Sequence, residues 1–192
     1  MYKNEYDEQD IQFLLSRVKT PPNPQPGTYD FDNFGAPGID HLALAISENY
    51  DEATKEYNDP YSNNHHKLKS LKSMEDEGGS KLEYDYIISL QEVWERAGYG
   101  WSEEKKTDFV FDLRVGVVTS HYINDAKGKR SLLDFLNDLN LFKGDKRSFC
   151  LSWLVIAVKY DIPLTQDEIN EIENELKNGS FPVKVINPIK LW

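Results

Sequence analysis

The stretch FCLSWLVIAVKY, residues Phe149–Tyr160, decides the fold because it contains the longest apolar run of the chain. From Phe149 to Val158 the run is apolar almost all around a helix, which is typical of a helix buried at the centre of a domain. At ten residues the run is too short to span a membrane, since spanning takes about 20. The stretch therefore predicts a central helix.

Further helices are predicted on both sides of this central one. Apolar residues at helical spacing follow the capping residues Asp7, Ser102 and Ser131, and Thr165 with Glu168 forms a capping box. The approximate bounds of these predicted helices are 7–19, 39–58, 62–77, 82–97, 102–123, 132–139 and 165–178. Residues Phe109–Thr119 are rich in β-branched and aromatic residues, so a strand is the alternative there.

Three segments do not fit a helix. Residues 20–38 form a long loop rich in Pro, Gly and aromatic residues, and residues 76–80 are a possible internal break. The segment FPVKVINPIKLW, Phe181–Trp192, contains two prolines and alternates like an edge strand. Because either side of residues 76–80 would make a thin domain, we predict one domain over residues 1–192. The predicted fold class is mainly α, a single-domain helical bundle of about seven to eight helices with a short extended C-terminal segment.

The composition excludes several classes of protein. The chain has 192 residues, 33 acidic against 22 basic, and a net charge of -11, which argues against direct binding of nucleic acid. It has one cysteine, so no intramolecular disulfide can form. The start MYKNEYDEQD has no apolar leader segment, and no membrane-spanning segment is predicted. We therefore expect a cytoplasmic protein, while its oligomeric state is not indicated.

No motif of a known catalytic chemistry is present. The glycines do not form a phosphate-binding pattern, and the serines lack the G-x-S-x-G context of a nucleophile. The apolar neighbours of Cys150 favour a buried structural thiol over a nucleophile. We therefore predict no catalytic residues, no cofactor and no enzyme.

Two acidic clusters are the most distinctive feature. Asp30 and Asp32 lie close to Phe34 in the long loop, and the stretch Asp161–Glu175 carries six acids and no base. Carboxylates beside aromatic rings can dock on a basic cleft, where the charges steer association and the rings supply contact area. The predicted partner-binding residues are Asp30, Asp32, Phe34, Asp167, Glu168, Glu171 and Glu175.

These observations favour an inhibitor that binds a basic protein partner. An immunity protein for a nuclease toxin, an antitoxin, or a phage-encoded inhibitor of a nucleic-acid enzyme would each fit this composition. The first alternative is a helical metal-dependent hydrolase whose site would be built from His41, His65, His66, His121 and Asp125. His121 and Asp125 stand four residues apart, which suits two ligands on one helix face. The second alternative is a structural or assembly protein.

Overall fold

A computed structural model describes residues 3–20, 34, 40–128 and 130–189. Of these residues 45% are helical and 20% lie in strands. The helices are α1 Glu8–Arg17, α2 Asp40–Ile46, α3 Leu90–Arg96, α4 Glu103–Phe111, α5 His121–Lys127, α6 Leu132–Asn137, α7 Lys146–Tyr160 and α8 Gln166–Lys177. The strands are β1 Lys3–Tyr6, β2 Tyr50–Asp51, β3 Glu56–Asn58, β4 His65–Ser70, β5 Glu75–Asp76, β6 Leu82–Tyr86, β7 Gly116–Ser120 and β8 Val183–Ile189.

Helix α7 lies at the centre of the core, as its sequence predicts. Nearly every side chain from Phe149 to Tyr160 is buried, because the apolar residues go around the whole helix. Helices α1 and α8 and strand β8 pack against it. Asp145 caps its amino end and accepts a hydrogen bond from the Arg147 N–H over 3.0 Å.

Strands β1 and β8 form an antiparallel pair against α7. Val183 and Val185 are buried and Lys184 is exposed, so the predicted alternation of an edge strand is confirmed. The Ile186 N–H donates to the Ser152 hydroxyl on α7 over 2.8 Å. This bond fixes the middle of β8 to the central helix.

Strands β2, β3, β4 and β5 form an antiparallel sheet in that order. Tyr50 pairs with Tyr57 across the first hairpin. In β4 the side chains of His66 and Leu68 are buried, while those of His65, Lys67 and Lys69 are exposed. This period of two is that of a half-buried strand.

Strands β6 and β7 form a third antiparallel pair. A bridge from Glu75 to Lys81 connects this pair to the four-stranded sheet, and the Tyr57 hydroxyl donates to the Val118 carbonyl. Gly116 lies where a Cβ atom would stand 2.4 Å from the Asp85 carbonyl oxygen. Only glycine therefore fits this approach of β7 to β6.

The prediction of a mainly α, helical-bundle fold is wrong, because the described residues form three antiparallel sheets as well as helices. The predicted helix over 39–58 ends at Ile46 and is followed by a hairpin. Residues predicted as helix over 62–77 form β4 and β5, and the helix predicted from Leu82 begins only at Leu90. The segment Phe109–Thr119, for which the sequence allows helix or strand, is helical as far as Phe111 and forms a strand from Gly116. The helices predicted after Asp7, Ser131 and Thr165 are confirmed, and that after Ser102 is confirmed as far as Phe111.

Residues 76–80 form a tight connection between β5 and β6. Gly79 has a φ of 87°, which favours glycine. Most of the predicted loop over 20–38 lies outside the described residues. Within the described ranges, no helix combines the length and the apolar character needed to cross a membrane.

Candidate partner-binding surface

Helix α8 places the acids of the second cluster in two different environments. Its capping box is confirmed: the Thr165 N–H donates to Glu168 Oε2 over 2.8 Å, and the Glu168 N–H donates to the Thr165 hydroxyl over 3.2 Å. Glu168 is only 2% exposed. It is therefore a structural residue of the helix start, and its carboxylate does not face outward.

Arg96 of α3 holds the Glu168 carboxylate with two hydrogen bonds of 2.7 Å. It also donates to Glu92 over 2.8 Å, so one guanidinium bridges two buried carboxylates. Burial alone would raise the pKa of Glu168, but the hydrogen bonds and charge of Arg96 lower that pKa below its ordinary value. Sequence analysis missed this contact because 72 positions separate the two residues.

The remaining acids of α8 lie at the surface. Asp167 is exposed, and Glu171 and Glu175 are half-buried. Glu173 pairs with Lys177 over 2.7 Å, whereas the other three have no ion-pair partner among the described residues. We define the acidic face as Asp167, Glu171 and Glu175. These carboxylates are free to meet a partner's charges.

The first predicted cluster is only partly described. Asp30 and Asp32 lie outside the described residues. Phe34 is 5% exposed and packs against Trp94 and Trp101 with ring centroids 5.9 and 6.4 Å away. Its aromatic ring is thus a core residue, so it does not offer contact area to a partner.

The structure does not bring the predicted metal ligands together. His65 points to solvent from β4, and the neighbouring His66 is buried with its Nδ1 2.8 Å from Asp76 Oδ2. His121 and Asp125 do share a helix face, 3.4 Å apart, and His121 also contacts Glu83. The side chain of His41 lies outside the described part. Among the side chains described, no group of three His, Cys, Asp or Glu is arranged to hold a metal ion.

Cys150 is buried in the core, as predicted. Burial raises the pKa of its thiol, and the negative charges of Glu175, Glu171 and Asp145 add to that effect. A thiol held protonated in this way is a poor nucleophile.

A buried ion pair was not visible in the sequence. Lys127 is 1% exposed, and its ammonium lies 2.9 Å from Asp85 and donates to the Tyr86 carbonyl over 2.8 Å. The Tyr61 hydroxyl donates to the same Asp85 carboxylate over 2.8 Å. Burial raises the pKa of Asp85, against the effect of Lys127. These contacts satisfy polar groups inside the core and point to no ligand.

A cleft of about 340 Å³ lies between the four-stranded sheet, the amino end of α7 and strand β8. Polar side chains from all three parts line it: Glu48, Asn49, Asn58, Asn63, Asp145, Ser148 and Lys184. Sequence analysis missed this site because its residues come from segments that were predicted as helix or not considered together.

Comparison of the chain with protein-family models, with curated proteins and with solved structures finds no match in any of the three.

Proposed function

We propose that this protein binds a basic protein partner through the acidic face of α8 and blocks that partner's positively charged surface. The observation that supports this proposal most directly is the composition of α8. From Gln166 to Leu176 the helix carries acids and amides but no basic side chain, and the acids of the acidic face are unpaired within the described residues. A net charge of -11 adds long-range attraction for a basic partner.

The type of partner follows from the charge. A surface that binds phosphate groups is positive, and carboxylates can occupy it in place of phosphates. An immunity protein, an antitoxin or a phage-encoded inhibitor acting on a nuclease or another nucleic-acid-binding protein would use such a surface. Nucleic acid itself would be repelled. Because attraction between exposed charges is screened beyond about 8 Å at physiological salt, binding should weaken as salt increases.

The test is capture of partners from the lysate of the protein's own cell, at low and at high salt, followed by mass spectrometry. The variant Asp167→Asn/Glu171→Gln/Glu175→Gln removes three charges from the acidic face. A matched control, Glu52→Gln/Glu56→Gln/Glu77→Gln, removes three exposed charges from the region of the four-stranded sheet. Glu168 is left unchanged, because replacing it would break its contact with Arg96.

We expect a stoichiometric basic protein that is lost at high salt, captured poorly by the acidic-face variant and normally by the control. The dissociation constant of the purified pair should be higher for the acidic-face variant and unchanged for the control. Equal binding by both variants at low salt would show that the acidic face is not the binding surface. Concentration-dependent self-association without a partner would instead favour an assembly protein.

A further inference from the structure

The cleft between β8, the four-stranded sheet and the amino end of α7 has fixed walls. The Lys143 and Gly144 N–H groups donate to the Tyr61 carbonyl over 2.7 and 2.9 Å. The Asn63 side-chain amide donates to the Lys143 carbonyl over 2.6 Å. On the opposite side, the bond from Ile186 to Ser152 holds β8. A ligand therefore meets a preformed cleft, which lowers the entropy lost on binding.

Two oxygen acceptors in this cleft are left without a donor among the described residues. The Ser148 hydroxyl already donates to Asp145 Oδ2 over 2.6 Å, and the Asn63 amide nitrogen already donates to the Lys143 carbonyl. Glu48 accepts from Asn4 with Oε2 only, so Oε1 has no partner among the described residues. The buried Asn58 Oδ1 also lacks a donor within that part of the chain. A ligand that brings donors can satisfy these two oxygens.

The charges in the cleft favour a cation. Glu48 and Asp145 contribute two negative charges, against one positive charge from Lys184. Lys184 is 64% exposed and lies 3.4 Å from Glu5, which offsets its charge further. The amino end of α7 would attract an anion, but Asp145 already caps it.

We propose that this cleft binds a guanidinium group, supplied by an arginine side chain of the basic partner. Guanidinium has five N–H donors and no acceptor, and its planar fork matches a carboxylate such as Glu48. The volume of about 340 Å³ is near the lower end for ligand pockets, which suits one side chain. That the arginine belongs to a protein partner rests on the function proposed above.

The cleft lies near the helix that carries the acidic face. Arg147, in the first turn of α7 and two residues after Asp145, donates to the Leu176 carbonyl near the end of α8 over 2.9 Å. The carboxyl end of α8, which carries Glu175, therefore lies beside the amino end of α7, where Asp145 lines the cleft. A partner docked on α8 would have the cleft within reach of its side chains.

The experiment titrates Nα-acetyl-arginine amide into the full chain and follows the backbone amide signals by NMR. Glu48→Gln should weaken binding about tenfold, as for the loss of a hydrogen bond to a charged group. Lys184→Gln should strengthen it roughly two- to fivefold, because it removes an exposed like charge. The control Glu52→Gln removes the same charge outside the cleft and should leave the affinity within about twofold.

Neutral Nα-acetyl-citrulline amide has nearly the same shape and should not bind. Equal binding of the two amides, or no saturable shift of cleft signals, would overturn the proposal. Reversed signs for Glu48→Gln and Lys184→Gln would identify an anion site and overturn it too.

The source of the guanidinium is tested separately. Excess Nα-acetyl-arginine amide should displace the captured partner, and Glu48→Gln should weaken capture. If the amide binds the cleft but neither effect on capture is seen, the partner's arginine is refuted as the ligand. If the acidic-face variant loses its partner while the amide does not bind, this inference falls and the proposed function stands.

Discussion

At the scale of single residues, Arg96 balances the charges of two buried carboxylates. Its side chain is only 15% exposed and touches Glu92 and Glu168, whose side chains are 9% and 3% exposed. Removing one partner from a buried ion pair leaves an uncompensated charge. The guanidinium is therefore needed as long as both carboxylates are present.

We expect Arg96→Ala to lower the free energy of unfolding by about 3–5 kcal/mol, the cost of breaking a buried pair. Urea denaturation followed by circular dichroism measures this. The matched control is Lys177→Ala, which breaks the exposed pair with Glu173 and should cost less than about 1 kcal/mol. Equal losses for the two variants would contradict the structural role of Arg96.

The same residues show what sequence analysis could predict at this scale. The capping box of Thr165 and Glu168 is local, so its spacing of three was enough to predict it correctly. The contact of Glu168 with Arg96 depends on how α3 and α8 pack, and no spacing along the chain encodes it. For that reason the sequence predicts Glu168 on a binding surface, whereas the structure buries it.

At the scale of elements, Tyr50 and Tyr57 explain the wrong prediction of a long second helix. Seven residues apart, they would lie on one face of a helix, and they also face each other across a hairpin. The four residues between β2 and β3 turn the chain, with Lys55 at a φ of 58°. Hydrophobic spacing alone could not separate these two arrangements, since both bury the same side chains.

Gly144, just before α7, packs closely against the backbone of Pro60 in the turn after β3. A Cβ atom there would lie 1.9 Å from the Pro60 carbonyl oxygen, which belongs to the backbone and cannot move alone. We expect Gly144→Ala to lower the free energy of unfolding by about 1–3 kcal/mol or more, as overpacking does. Gly100→Ala is the control, because no atom lies within 4 Å of its added Cβ. Thermal unfolding of both variants measures this difference. Equal losses of unfolding free energy would refute the prediction.

At the scale of the whole molecule, Glu92 makes stability depend on pH. Burial raises its pKa from 4.5 to about 7, although Arg96 and Lys127 act in the opposite direction. The folded state therefore holds this proton more tightly than the unfolded state. The resulting stabilisation is complete below pH 4.5 and is lost as the pH rises through about 7.

Glu92→Gln imitates the protonated acid, so its free energy of unfolding should not share this loss. We expect wild type to lose up to about 3 kcal/mol relative to the variant between pH 5 and pH 8, as follows from 1.36 kcal/mol for each unit of pKa. Urea denaturation at four pH values in this range measures the difference. Parallel curves for the two proteins would show that Glu92 does not titrate in this way.

The mixed architecture could be predicted only in part from the sequence. The central helix was predicted because its residues are apolar on every side, and the edge strand at Val183–Val185 because of its alternation. The sequence analysis misses strand β6, although Leu82, Tyr84 and Tyr86 alternate with two acids, because Tyr86 also continues the helical spacing of Leu90 and Val93. The cleft needs three elements to meet, so no local pattern indicates it.

The pairing of β1 with β8 also determines when the fold can be completed during synthesis. Tyr6 pairs with Val183, so the first strand has no partner strand until nearly the whole described chain has left the ribosome. At about 5–20 residues per second, that delay is on the order of 10–40 s. During this time Tyr6, which is almost fully buried in the finished protein, has no β8 to cover it. The nascent chain therefore passes through a stage in which chaperones can reach an apolar surface that the folded protein hides.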